Sequence, residues 1–147
     1  MKIQFTQKFI ERIPNVREGL LLISNLNNSY NSDHSYQFLC KSMDEARLRS
    51  VQQKDDKMSG IIIWEEAFDK LGYDSSKNKP SHIQLLSRVL EQQDLPNINP
   101  IVNIINAVQI KHLLPIGAHD LDKAEGDISL TLACTPLCTP ETFAAPS

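Results

Sequence analysis

The chain has 147 residues, a length that suits one domain built around one core. An apolar fraction of 41% and a charged fraction of 22% exclude wholesale disorder, and a net charge of −3 excludes a molecule that is basic throughout. No run reaches membrane-spanning length and no secretory pattern opens the sequence, so a reduced, cytoplasmic protein without a membrane partner is expected.

Lys2 to Thr6 alternates with period two and predicts a short strand. Phe9 to Arg17, broken by Pro14, reads as a connector. Gly19 to Ser24 is a short apolar run followed by the turn formers Asn25, Asn27, Asn28 and Ser29, the pattern of a strand buried on both faces. Ser42-Met43-Asp44-Glu45 has the spacing of a capping box and predicts a charged helix from there to about Lys57. Gly60 then marks an interruption. On the next helix Trp64, Ala67, Phe68 and Leu71 form an apolar stripe, with Gly72 at the left-handed cap.

Tyr73 to Pro80 is a polar loop, and Ser81-His82-Ile83-Gln84 reads as a second capping box. The apolar face behind it, Leu85, Leu86, Val89 and Leu90, runs to about Glu91. Asp94 to Pro100 is a turn, with Asn99 placed to cap the next helix and Pro100 at its first position. Ile101, Ile104, Ile105 and Val108 are the expected buried stripe of that helix, and Lys111 with His112 suit its C-terminal dipole. His119 to Lys123 is a loop containing a turn, and Asp127 to Leu132 alternates as a strand. Ala133 to Ser147 holds three of the eight prolines and no positive charge, so it reads as a disordered tail. The elements add up to an α/β fold: a mixed sheet with packed helices.

Three cysteines, Cys40, Cys134 and Cys138, give no disulfide framework, and Cys134 with Cys138 is at most half a metal site. Glycine-rich phosphate loops, zinc spacings and nucleophile elbows are absent, so no cofactor is expected. A nucleic-acid partner would need a local basic patch. Arg47, Arg49, Lys54 and Lys57 on one helix, and Lys77 with Lys79 in a loop, offer one, although Asp44, Glu45, Asp55 and Asp56 dilute it into an ordinary solvated face. His119, Asp120 and Asp122 suit acid–base or metal chemistry, while Asp at such positions more often caps a turn. Asn106 would orient a substrate carbonyl or ribose, or else bond a neighbouring loop. His34, His82 and His112 read as surface or cap residues, and Trp64 as core.

An ordered series of short segments carries a resemblance. It runs through Trp64-Glu65-Glu66-Ala67-Phe68, Leu71-Gly72-Tyr73-Asp74, Lys79-Pro80-Ser81 and Leu85-Leu86-Ser87-Arg88-Val89-Leu90. It continues through Leu95-Pro96-Asn97-Ile98-Asn99-Pro100-Ile101-Val102, Asn106, Leu114-Pro115-Ile116-Gly117-Ala118-His119-Asp120-Leu121-Asp122 and Glu125-Gly126-Asp127-Ile128. The series resembles the B-three/B-four tRNA-editing domain of the phenylalanyl-tRNA synthetase beta subunit, in the form found in free-standing proteins, over Gly60 to about Leu130.

The resemblance implies a domain that binds the acceptor end of aminoacyl-tRNA and hydrolyses a mischarged aminoacyl ester. A pocket for phenylalanine rejects tyrosine only modestly, so a second site must read the extra hydroxyl. Such a site can act on a labile ester by positioning water and supplying oxyanion donors. It further implies Asn106, His119 and Asp120 as site residues, with tRNA or aminoacyl-tRNA as the partner. The synthetase pattern has Thr-Asn-Tyr on the helix and His-Ala-Phe-Asp in the loop. Here Asn106, Ala118 and Asp120 keep their places, Ile105 stands for the threonine, and Gly117 stands for the histidine, as it tends to in free-standing relatives.

Residues 1–132 are then expected to be a partial domain, incomplete at its C-terminal side, because Thr131 to Ser147 resembles none of the strands that close the family's pocket. An incomplete sheet would leave an unpaired edge that favours instability or self-association. The alternative reading is a non-catalytic tRNA- or amino-acid-binding module, or an inactive truncated fragment.

Overall fold

The computed structural model of the chain describes residues 2–28, 33–52, 59–74, 76–77 and 79–131. Expectations for Lys54, Asp55, Asp56, Lys57, Cys134, Cys138 and the tail from residue 133 lie outside the described residues. Contacts divide the chain into two units, Met1–Glu18 with His119–Ser147, and Gly19–Ala118.

The larger unit is helical. Its longest element is α2 (Asp33–Gln52), which buries Ser35, Leu39, Ser42, Met43 and Ala46. Those positions recur at three- and four-residue spacing, so one face of the helix is committed to the core along most of its length. Helix α4 (Ser81–Leu90) contributes Leu86 and Val89 to that core, and α5 (Pro100–His112) contributes Ala107 and Ile110. Leu95, from the loop between α4 and α5, completes it, and its amide donates to the Met43 thioether at 3.3 Å. Each deeply buried leucine or isoleucine here removes about 1.5–3 kcal/mol worth of apolar surface from water. Helix α3 (Ser59–Leu71) leans Ile61 on the same core.

Among the described residues the smaller unit is a two-stranded parallel sheet with a short helix. Strand β1 (Ile3–Phe5) pairs with β2 (Ile128–Leu130) in the register Ile3 to Ile128 and Phe5 to Leu130. The Lys2 amide donates to the Asp127 carboxylate at 2.6 Å, and Thr6 continues the ladder to the Leu130 carbonyl. The helix α1 (Gln7–Arg12) follows directly and lets Phe9 stack on Phe5 at 5.7 Å. The two units together make an α/β fold whose sheet, among the described residues, has two parallel strands.

Several expectations need correction. The run Gly19 to Ser24 forms no strand: it is without regular structure and exposed, Leu21 at 85%. A strand requires a ladder partner, and among the described residues β1 and β2 pair only with each other. The supposed connector at Phe9 contains α1, which ends before Pro14. Helix α2 begins nine residues before Ser42, whose side chain is buried in mid-helix rather than capping an end. The core-facing spacing that starts at Ser35 outweighs a local serine-to-glutamate pattern.

Gly60 does not interrupt a helix but sits inside the first turn of α3. A Cβ there would lie 2.9 Å from the Leu113 Cβ, so glycine is required by close packing. Gly72 is the left-handed cap expected, at φ 86°, and the Gly72 and Tyr73 amides donate back to Asp69 and Phe68 in the two-bond terminator of a helix. Trp64 is partly buried rather than core. The helix α5 turns a different face inward than expected: Asn103, Ala107, Gln109 and Ile110 are buried while Ile104 is exposed. Asn103 can occupy the core because its amide is fully used, donating to Ser35 and Asn97 and accepting from the Ile98 amide.

Candidate functional site

Helices α4 and α5 lie against each other and leave a cleft of about 380 Å³ between them. Ser81, Gln84, Leu85 and Arg88 line it from α4, Asn106 and Gln109 from α5, and Ile116 from the segment beyond. The helical period explains the set. Ser81, Gln84, Leu85 and Arg88 follow at three- and four-residue steps, as do Asn106 and Gln109, so each group shares one face.

The expected capping box at Ser81 is not formed. Pro80 precedes the helix and no side chain caps it. The Ser81 hydroxyl instead donates to Gln109 Oε1 at 3.1 Å, and Gln84 donates to the Lys79 carbonyl at 2.7 Å. Gln109 also accepts from the Ile116 amide at 3.2 Å. A backbone N–H can only donate, so this bond fixes which end of the Gln109 carboxamide is oxygen. Gln109 is 3% exposed, and its nitrogen finds no acceptor among the described residues.

The entry of α5 is held from outside and from within. Asn99 accepts from the Val102 amide at 3.0 Å, Pro100 carries no amide proton, and the Ile101 amide donates to Asn28 at 3.0 Å. The exit of α5 is a left-handed Leu113 at φ 54°, whose amide returns to Gln109. These two ends set where Asn106 and Gln109 face.

Asn106 therefore lies in the cleft, half-buried. His119 and Asp120 belong to the other unit, both exposed. Asp120 is engaged in a turn: its carboxylate accepts from the Asp122 amide at 3.1 Å, its carbonyl accepts from the Lys123 amide, and Lys123 stands 3.8 Å away. This is the backbone-capping use of aspartate. Among the described residues no group of three His, Cys, Asp or Glu side chains is arranged to hold a metal ion. Residue type alone does not mark Ser81, Gln84, Arg88 and Gln109 as site residues. Their signal is the shared helical spacing with Asn106 across two adjacent helices.

Two of the basic residues offered as a nucleic-acid patch have structural work. Arg47 donates to the Val89 carbonyl at 3.1 Å and to Asp94 at 2.7 Å, which holds its guanidinium above its usual pKa. Arg49 donates to the Ile110 and Lys111 carbonyls. Lys77 pairs with Asp74 at 3.4 Å. His82, expected at the surface, is wholly buried, with neither ring nitrogen hydrogen-bonded and the Trp64 ring edge-on at 5.5 Å. It is buried because it shares the inward face of α4 with Leu86 and Val89, four and seven residues on.

A helical unit with an interhelical cleft, joined in sequence to a small parallel sheet, defines a helix-rich α/β protein. A family model described as the B3/4 domain matches residues 63–143, more than half of the chain, and the chain belongs to that family. The domain is of the type found in the phenylalanyl-tRNA synthetase beta subunit. The matched stretch contains every residue that lines the cleft and extends into the segment that sequence reading set apart as a tail. No curated protein and no solved structure matches the chain. No helix among the described residues is long and apolar enough to cross a membrane.

Proposed function

We propose that the chain is a phenylalanyl-tRNA synthetase beta-like domain, acting in the cytoplasm, that takes the acceptor end of an aminoacyl-tRNA into the α4–α5 cleft and promotes hydrolysis of a mischarged aminoacyl ester. The single observation that carries this reading is Asn106. It occupies the asparagine position of the family pattern and lines the cleft beside Gln109 and Arg88. Its carboxamide suits the ester carbonyl or the terminal ribose. The ester bond is labile enough that oriented donors and a placed water accelerate its cleavage without a covalent intermediate. Among the described residues no Asp, Glu or His lines the cleft; the acid–base candidates that the family resemblance implies are His119 and Asp120. These belong to the other unit.

A cleft lined, among the described residues, without carboxylate or imidazole favours a second reading, a module that binds the acceptor end without hydrolysing it. Release of tyrosine and of phenylalanine from charged phenylalanine tRNA, followed with the purified protein, decides between them. Release above the buffer rate that falls in Asn106→Ala supports the hydrolase. Binding of tRNA with no release leaves the binding module, and no binding of tRNA removes both.

A further inference from the structure

The α4–α5 cleft presents two side chains whose N–H donors have no acceptor among the described residues, and they differ in kind. The Gln109 carboxamide oxygen is occupied by the Ser81 hydroxyl and the Ile116 amide, so only its N–H groups are left for a ligand. That side chain is almost wholly buried, and its orientation is imposed by a backbone donor, so the donors are fixed in place. Arg88 supplies the second set. It lines the same cleft from the last turn of α4, is exposed, and its guanidinium has no hydrogen-bond or ion-pair partner among the described residues. In this it differs from Arg47 and Arg49, whose guanidinium groups are consumed by helix carbonyls and carboxylates. Among the described residues no carboxylate lines the cleft to oppose an anion.

From this geometry we infer that Arg88 and Gln109 form a phosphate clamp for the 3′ end of a single-stranded RNA, with Arg88 gripping a phosphodiester and Gln109 donating to an adjacent oxygen. The inference rests on reading the cleft as the acceptor-end site. A guanidinium presents paired N–H groups that match two phosphate oxygens, and a neutral amide donor beside it adds direction without adding charge. A carboxylate ligand shares the acceptor chemistry. The phosphate is favoured because it offers oxygens on several sides, enough for Arg88 and Gln109 to engage one group from two helices. In a chain of net charge −3 the clamp concentrates the positive charge offered to the phosphate at one residue.

The test is equilibrium binding of a five-nucleotide RNA ending in cytidine-cytidine-adenosine to the full chain, as a function of salt. Arg88→Gln is expected to weaken binding about ten-fold at low salt. It is also expected to reduce the slope of log affinity against log salt by about 0.7, the contribution of one phosphate on a single strand. Arg88→Lys restores the slope but not the full affinity, which a merely structural role for Arg88 would not produce. Gln109→Glu keeps acceptors for Ser81 and the Ile116 amide, yet loses binding because it substitutes a charge for the donors. Adenosine monophosphate competes with the RNA, whereas adenosine and glycine do not. An Arg88→Gln protein with unchanged affinity and slope overturns the clamp, as does an RNA that does not bind, or glycine competing as well as the nucleotide. Failure to release amino acid from charged tRNA, with Arg88-dependent RNA binding intact, removes only the hydrolase reading.

Discussion

Arg49 donates from one terminal nitrogen to the Lys111 carbonyl at 2.9 Å and from the other to the Ile110 carbonyl at 3.1 Å. Both carbonyls belong to the last turn of α5, where a helix leaves acceptors without internal donors and carries partial negative charge. Arg47 does the same for α4 through Val89. One helix thus terminates two others with cations, and it does so from residues that, in the sequence, look like a phosphate-binding patch.

Replacing Arg49 with methionine keeps most of the aliphatic stem and removes the capping bonds. Hydrogen bonds from a charged group contribute about 1.5–3 kcal/mol. The variant is expected to lose about 2 kcal/mol in urea unfolding, while the slope of RNA affinity against salt stays as in the parent. A changed slope with unchanged stability would return Arg49 to the nucleic-acid surface.

Gly60→Ala places a methyl group 2.9 Å from the Leu113 Cβ, an atom fixed to backbone rather than a mobile chain end. Overpacking of this kind costs about 1–3 kcal/mol, and the better helix propensity of alanine returns about 1 kcal/mol. A net loss of about 1 kcal/mol is expected in chemical unfolding. A variant as stable as the parent would show that α3 shifts freely on Leu113.

The buried amide of Asn103 ties Ser35 of α2, Asn97 and the Ile98 amide to α5. Asn103→Leu has nearly the right volume but deletes three hydrogen bonds, the one to Ser35 buried and those to Asn97 and the Ile98 amide part-buried. A lost hydrogen bond of this kind costs about 0.5–1.5 kcal/mol. The substitution is expected to destabilise by at least about 2 kcal/mol, read from the urea midpoint, and a leucine variant of equal stability would mean water replaces the amide.

The parts of this fold that depend on local chemistry were legible. Asn99 with Pro100, Gly72, and the alternation at Ile3 and Ile128 act through their own backbone neighbours, so their residue types are sufficient signals. What the sequence hid is decided by partners far along the chain. Ser42 and Ser81 carry the spacing of a cap, yet one is buried in mid-helix and the other bonds Gln109, 28 residues on. Gly19 to Ser24 has a buried strand's composition without a ladder to join. Asn106 could be placed by resemblance, whereas Arg88 and Gln109 become site residues only once α4 and α5 are adjacent.

Gly117 stands where the synthetase pattern has histidine, and a Cβ there meets nothing within 4 Å. Its backbone lies outside the left-handed region, so a side chain is accepted without strain. Gly117→His is expected to change stability by less than about 0.5 kcal/mol. Under the proposed function it raises release of tyrosine from charged phenylalanine tRNA. Release at the buffer rate in both proteins, with tRNA still bound, would favour the binding module.

His82 gives the pH dependence its sign. The ring is wholly buried without a hydrogen-bond partner, and burial lowers its pKa below 6.5 because the charged form cannot be solvated. Above pH 6.5 the imidazole is neutral in both folded and unfolded chains, so its contribution to stability is fully present. As pH falls through 6.5 the unfolded chain takes up a proton that the folded chain refuses. Unfolding is therefore favoured progressively, until the depressed folded pKa is reached and the loss levels off. Urea midpoints are expected to fall between pH 7 and pH 5. His82→Phe preserves an aromatic ring for the edge contact with Trp64 but cannot take up a proton. That variant is expected to flatten the profile in this window, whatever its stability at pH 7. A variant that retains the parent's slope would assign the acid sensitivity to another group and leave the buried ring a packing element alone.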